Sequence, residues 1–192
     1  MVTRGGQPSH ETKAVFLDRD GVLVIPEFRN GRSYAPRTLE TYTLYDDAKP
    51  CLDRLKAAGF LLVVVTNQPD VGAGLVSPHD LEDMHRQLRA ALPVDQIETC
   101  THTADQGCEC RKPKPGMLLR ASERLGINRS RSFMVGDRAS DAAAGLAAGC
   151  RAAFLDHSYT AETGPTYADF RATSLPAITD WILAQDAAGR VS

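Results

Sequence analysis

Apolar and polar positions follow two rhythms along this chain. Short unbroken apolar runs occur at 13–18, 60–65, 132–136 and 151–155, and small or charged residues follow each one. Runs of that length suit strands buried on both faces of a parallel sheet. A weaker strand candidate spans 94–99. Between the runs, apolar residues fall at helical spacing. Residues 47–58 carry Ala48, Leu52, Leu55 and Ala58, and Gly59 is the stop signal. Ser77 and Pro78 open a second helix as cap and first-turn residue, and it runs to about Leu92. Further helices are expected from Gly116 to Leu125, closed by Gly126, and from Ser140 to Ala148. A last one, Pro176 to Ala187, turns Trp181, Ile182 and Leu183 inward. Residues 26–45, with Pro26, Asn30-Gly31 and Pro36, read as a long loop or small flap. Residues 69–76 read as turns, and 157–175 as polar and irregular. Alternation of strand and helix predicts an α/β fold, a three-layer sandwich around a mostly parallel sheet. One domain is expected over 1–192, with its core at about 13–156 and a C-terminal helix at about 176–187.

Composition narrows the function class. A length of 192 residues with 43% hydrophobic content supports one well-cored domain. A net charge of -2 provides no broad basic footprint, so a nucleic-acid partner is not expected. No run of about 18 apolar residues is present, so no membrane span is expected. Met1 to Thr12 is polar and lacks the apolar stretch of a signal peptide, so the expected location is cytoplasmic. A monomer is expected.

Ligands of such sheets sit at the carboxyl ends of the strands, and four chemical segments fall there. Asp18 and Asp20 flank Arg19; residues two apart on an extended segment point the same way. One carboxylate can attack phosphorus while the other exchanges protons. Two solvated aspartates at a strand end would look the same. Thr66 and Asn67 end another strand and can hold a phosphoryl oxygen, or simply make a turn. Lys112 suits neutralisation of a transferring phosphoryl group, and Arg111 beside it suits a second anion. Asp137 follows a strand, and with Asp18 and a backbone carbonyl it forms an oxygen-rich set suited to magnesium. Asp141, one helical turn later, is placed to orient Lys112 or a metal-bound water, or it is a first-turn aspartate favoured by the helix dipole. Cys100, His102, Cys108 and Cys110 crowd into one loop, as ligands of a structural zinc do. Cys51 and Cys150 read as small buried apolar residues.

In order and position these segments resemble the haloacid dehalogenase superfamily of phosphatases, whose pattern is Asp-x-Asp, then Thr or Ser, then Lys, then Gly-Asp-x-x-x-Asp. The resemblance covers roughly residues 14–155. It implies a Rossmann-like core, catalytic magnesium and an aspartyl-phosphate intermediate. It makes Asp18 the nucleophile, Asp20 the general acid and base, and Thr66 and Lys112 phosphoryl stabilisers. Asp18, Asp137 and the main-chain carbonyl of Asp20 would hold the metal. The cysteine loop, with Cys-Arg-Lys-Pro-Lys-Pro-Gly-Met from Cys110 to Met117, is similar to the subfamily of heptose bisphosphate and histidinol-phosphate phosphatases. That implies a structural zinc, no large cap domain and a small phosphorylated sugar as substrate. Removal of the 7-phosphate of D-glycero-D-manno-heptose 1,7-bisphosphate is the first expectation. Histidinol-phosphate hydrolysis and a non-catalytic phosphosugar-binding role are the alternatives. Arg19, Asn67, Arg111 and Arg138 are the expected substrate contacts. The chain departs from the heptose pattern in its longer segment after the acid pair, in Pro69-Asp70, and in the short gap between His102 and Cys108.

Overall fold

The structure is a computed structural model that describes residues 12–161 and 163–189. The polar amino-terminal stretch before Thr12 lies outside the described residues. The central sheet holds six strands: β1 (Ala14–Leu17), β4 (Leu61–Asn67), β5 (Gln96–Cys100), β6 (Phe133–Gly136), β7 (Arg151–Leu155) and β8 (Phe170–Ala172). Their order is β5-β4-β1-β6-β7-β8, and every pairing is parallel. Side chains alternate between the two faces of a strand, and this divides the core in two. Val15, Leu17, Leu62, Val64, Phe133 and Val135 enter one apolar cluster, completed by α1 (Ala48–Ala57), α3 (Pro78–Ala91) and α6 (Leu175–Ala188). Ala14, Phe16, Val63, Val65 and Met134 enter the other, completed by α4 (Gly116–Leu125) and α5 (Ala139–Ala148). Helices on both faces of a parallel sheet make the expected three-layer Rossmann-like sandwich, with no large cap evident among the described residues.

Local chemistry sets the element ends. Ser77 Oγ accepts the Asp80 N–H at 3.0 Å, and Pro78 fills the first turn of α3, where a missing N–H costs nothing. α4 ends at Gly126, in the left-handed region at φ 65°. Three segments are more ordered than their sequence suggests. Residues 26–45 contain a hairpin, β2 (Glu27–Arg29) with β3 (Arg32–Tyr34), turned at Asn30-Gly31 with positive φ at both residues. The turn-rich stretch contains the single-turn helix α2 (Pro69–Gly72). The region expected to be irregular contains β8. That strand is too short for a visible alternation. It is held by its pairing with β7 and by Phe170 stacking on Trp181 of α6 at 5.1 Å. No helix among the described residues is long and apolar enough to cross a membrane.

Candidate active site

At the carboxyl end of β1 the chain leaves the sheet in one tight turn. The N–H groups of Leu23 and Val24 both donate to the Arg19 carbonyl at 2.9 Å, and the Gly21 N–H donates to the Val24 carbonyl at 2.8 Å. Gly21 adopts φ +91°, and a Cβ there would fall 2.0 Å from Asp137 Oδ2. Glycine therefore serves both the turn and the close approach of two strand ends.

Asp18, Asp137 and Asp141 converge beside this turn, with carboxylate oxygens within 4.8 Å of one another. Lys112, which is 3% exposed, enters from the segment after the cysteine loop. Its Nζ lies 2.9 Å from Asp18 Oδ1, 2.7 Å from Asp141 Oδ1 and 2.7 Å from the Val65 carbonyl. Burial alone would lower the lysine's pKa, but the charges of Asp141 and Asp18 outweigh it and hold the ammonium above its ordinary range. Burial also pushes Asp141 up to about 6, against the pull of Lys112. Burial, then the charges of Asp18 and Asp141, drive Asp137 well above the usual carboxylate range. Asp137 Oδ1 is buried with no hydrogen-bond partner. Three acids facing one lysine leave an excess of negative charge around that oxygen. A hard divalent cation with oxygen ligands fits such a donor set.

The Asp18 carboxylate is oriented from one side. Oδ1 accepts both Lys112 Nζ and the Arg19 N–H, the latter at 2.7 Å, and Asp18 lines the cavity. Asp20 shares that cavity, but Arg19 does not. The Arg19 side chain is fully buried, in contrast to its expected role as a substrate contact. The alternation that turns Asp18 and Asp20 one way turns Arg19 the other, into the core. There its Nε grips Asp20 at 3.0 and 3.1 Å, its guanidinium packs over Tyr42 at 5.5 Å, and Nη1 reaches His85 Nε2 at 3.4 Å. Burial, then the charge of Arg19, lowers His85 to about 4, so it is neutral and accepts that proton.

Asn67 lines the cavity, but its carboxamide binds backbone, not open space. It donates to the Lys112 carbonyl and accepts the Lys112 N–H, both at 3.1 Å, and so fixes the lysine's approach. The Thr66 hydroxyl is fully buried and accepts Gln68 Nε2 at 2.8 Å. The same Gln68 nitrogen donates to Asp20 Oδ2 at 2.7 Å. Gln68 was not among the sequence candidates, although it stands two residues beyond Thr66 and so on the same side.

The cavity holds about 530 Å³. Its walls also carry Arg32 and Tyr34 of the flap, Arg111, Arg138 and Asp70. Arg138 Nη2 donates to the Ser33 hydroxyl at 2.7 Å, Arg111 Nη1 to the His102 carbonyl at 3.3 Å, and Asp70 is paired with Arg37 at 2.7 Å. Lys114 sits at the surface with Glu109.

Beside Arg111 the cysteine loop closes on itself. Cys110 Sγ lies 3.2 Å from Cys100 Sγ, 3.4 Å from Cys108 Sγ and 3.3 Å from His102 Nδ1, and Cys100 Sγ is 3.6 Å from both Cys108 Sγ and His102 Nδ1. Four soft donors around one point could hold a metal ion. Cys51 and Cys150 lie elsewhere in the core, buried and unpaired in any disulfide.

The family profile of the haloacid dehalogenase-like hydrolases matches residues 32–149. D-glycero-beta-D-manno-heptose-1,7-bisphosphate 7-phosphatase of Pasteurella multocida is 39% identical over 151 residues, covering 71% of this chain and 77% of that one. The protein of the same name from Pseudomonas putida is 36% identical over 144 residues, covering 72% and 79%. Among solved structures, the D,D-heptose 1,7-bisphosphate phosphatase of B. bronchiseptica, complexed with magnesium and phosphate, superposes with a TM-score of 0.78 at 26% identity, covering 91% of this chain and 99% of that one.

Proposed function

The chain belongs to the haloacid dehalogenase-like hydrolases, and on that premise we propose that it is a magnesium-dependent phosphatase of sugar bisphosphates. Its substrate on this reading is D-glycero-D-manno-heptose 1,7-bisphosphate, from which it removes the 7-phosphate. The observation that carries the proposal is Lys112 Nζ held between Asp18 and Asp141, beside buried Asp137, in a cavity also lined by Arg32, Arg111 and Arg138. The named relatives support the choice of substrate.

Asp18 Oδ2 attacks phosphorus in line with the leaving oxygen. The new bond is an aspartyl phosphate; the bond that breaks is the phosphoester of the sugar. Asp20, steadied by Arg19 and Gln68, donates a proton to the departing sugar oxygen. The same carboxylate then takes a proton from water, which attacks the aspartyl phosphate and regenerates Asp18. Lys112 neutralises charge on the phosphoryl oxygens, and the Thr66 hydroxyl keeps its proton to donate there. Asp18, Asp137 and the Asp20 carbonyl would hold magnesium, which when bound supplies charge neutralisation to the transferring group. Asp141 orients Lys112.

Arg32, Arg111 and Arg138 make the rim cationic, which suits a second anionic group remote from the cleaved phosphate. A histidinol amine would meet those charges, and the nearby Asp70 is already paired with Arg37. The cysteine cluster is a structural zinc site. Ligand atoms of a tetrahedral zinc with bonds of about 2.3 Å stand about 3.7 Å apart, close to the separations found here. The zinc pins the loop that delivers Arg111 and Lys112.

Asp18→Asn tests the assignment. It is expected to abolish turnover with fold and zinc intact, and aluminium fluoride with magnesium is expected to inhibit the unsubstituted enzyme as a phosphoryl mimic. Near-normal kcat in the Asn variant would remove Asp18 from the nucleophile's role. EDTA is expected to stop catalysis and magnesium to restore it. Full activity in metal-free buffer would contradict the metal reading.

A further inference from the structure

Tyr159 and His157 stand on the segment after β7, outside every motif that the sequence singles out. Both reach the site from behind the acids. The Tyr159 hydroxyl donates to Asp137 Oδ2 at 2.7 Å. His157 Nε2 lies 2.7 Å from the Gly21 carbonyl, so that nitrogen carries the hydrogen. The two rings stack on each other at 5.4 Å, and His157 stacks on Tyr45 at 6.0 Å. One short segment therefore grips both strand ends that meet at the metal carboxylate.

The grip distinguishes the two oxygens of Asp137. Oδ2 is fixed by the phenol and crowded by Gly21, where even a Cβ would come within 2.0 Å. Oδ1 remains buried without a hydrogen-bond partner. The outer face of Tyr159 meets the flap. Its ring lies 5.6 Å from that of Phe28 on β2. The Ala161 N–H also donates to the Gly31 carbonyl at the hairpin turn, at 3.3 Å.

We propose that Tyr159 is a positioning residue that pins Asp137 Oδ2, presents Oδ1 to the cation, and ties the flap hairpin to that carboxylate. The inference rests on the magnesium reading above. Outer partners that orient a metal-bound carboxylate commonly change metal affinity about 10- to 100-fold when removed. The phenol hydroxyl and the ring have separable duties here: the hydroxyl serves Asp137, and the ring supports the flap.

Two variants separate those duties. Tyr159→Phe keeps the ring and removes the hydroxyl. Phe28→Ala, at an exposed position, removes the ring contact and keeps the hydroxyl. Magnesium affinity is measured on substrate-free protein by titration calorimetry, alongside KM and kcat at saturating magnesium. Tyr159→Phe is expected to bind magnesium about tenfold more weakly or worse, with kcat at saturating magnesium largely recovered. Phe28→Ala is expected to keep the parent's magnesium affinity and raise KM. Equal magnesium affinity in Tyr159→Phe and the parent would overturn this inference alone. Failure of the unsubstituted protein to bind magnesium would overturn it together with the metal reading. Where thermal denaturation in EDTA shows Tyr159→Phe to be poorly folded, Tyr159→His supplies a ring and an N–H donor. Its failure to restore magnesium affinity relative to Tyr159→Leu would overturn the positioning role.

Discussion

Replacing Lys112 with Met removes a buried cation and keeps most of its volume. The change leaves Asp18, Asp137 and Asp141 facing one another, each 6% exposed or less, with no ammonium between them. Breaking a buried pair by removing one partner costs about 3–5 kcal/mol, because the remaining charge is uncompensated. That range is the expected stability loss at pH 8 in EDTA. The deficit is expected to shrink at pH 5, where carboxylates raised by burial take up protons and shed their charge. Lys112→Met with Asp141→Asn removes one orphaned charge and is expected to recover part of the stability but none of the activity. Turnover is expected to fall at least about 100-fold in both variants, since a donor aimed at developing phosphoryl charge is lost. Urea denaturation followed by fluorescence of the single tryptophan, Trp181, reads the stability, because its stacking on Phe170 is lost on unfolding. A Lys112→Met variant within about 1 kcal/mol of the parent at pH 8 in EDTA, against the 3–5 kcal/mol expected, would refute the charge argument. So would a double variant no more stable than the single one.

Three further outcomes follow from the site. His85 is held near pKa 4, against 6.5 in the unfolded chain, so the unfolded chain binds the extra proton between those values and stability is lost as pH falls through that window. Between pH 7.5 and pH 5 this amounts to about 2 kcal/mol, and urea titrations of His85→Gln are expected to lack that part of the acid slope; an unchanged slope would contradict the buried, neutral histidine. Cys108→Ser is expected to drop bound zinc from about one per chain to near none and to raise KM or lower kcat through misplaced Arg111 and Lys112, whereas a zinc-free protein of full activity would refute the pinning role. Arg111→Ala is expected to raise KM for a sugar bisphosphate about tenfold or more, the worth of a charged hydrogen bond, and to change a monophosphate little; equal losses would assign Arg111 to the transferring phosphate.

Much of this arrangement was legible in residue order. Apolar runs leading into Asp18, Thr66 and Asp137 placed chemistry at the carboxyl ends of parallel strands, and the sheet brings those ends together. Ser77-Pro78 and Gly126 marked helix ends because capping is local chemistry. The burial of Arg19 follows from direction rather than charge: period-two alternation turns its side chain away from the cavity and toward His85, while its Nε holds Asp20. Asn67 was expected to face the phosphoryl group, but it serves the backbone of a lysine far along the chain, a contact that no local pattern encodes. Tyr159 and β8 escaped for a related reason. Both lie in a polar stretch without periodicity, and both are held by distant partners, Asp137 and Trp181.

On this reading, an aspartate phosphatase site lined by Arg32, Arg111 and Arg138 selects a sugar bisphosphate. Phosphate release measured as kcat/KM against both anomers of D-glycero-D-manno-heptose 1,7-bisphosphate, fructose bisphosphate, a heptose monophosphate and histidinol phosphate tests it most directly. A heptose bisphosphate anomer is expected to lead the series by at least about tenfold, the worth of one additional charged contact. Histidinol phosphate or the monophosphate at the head of the series would contradict it.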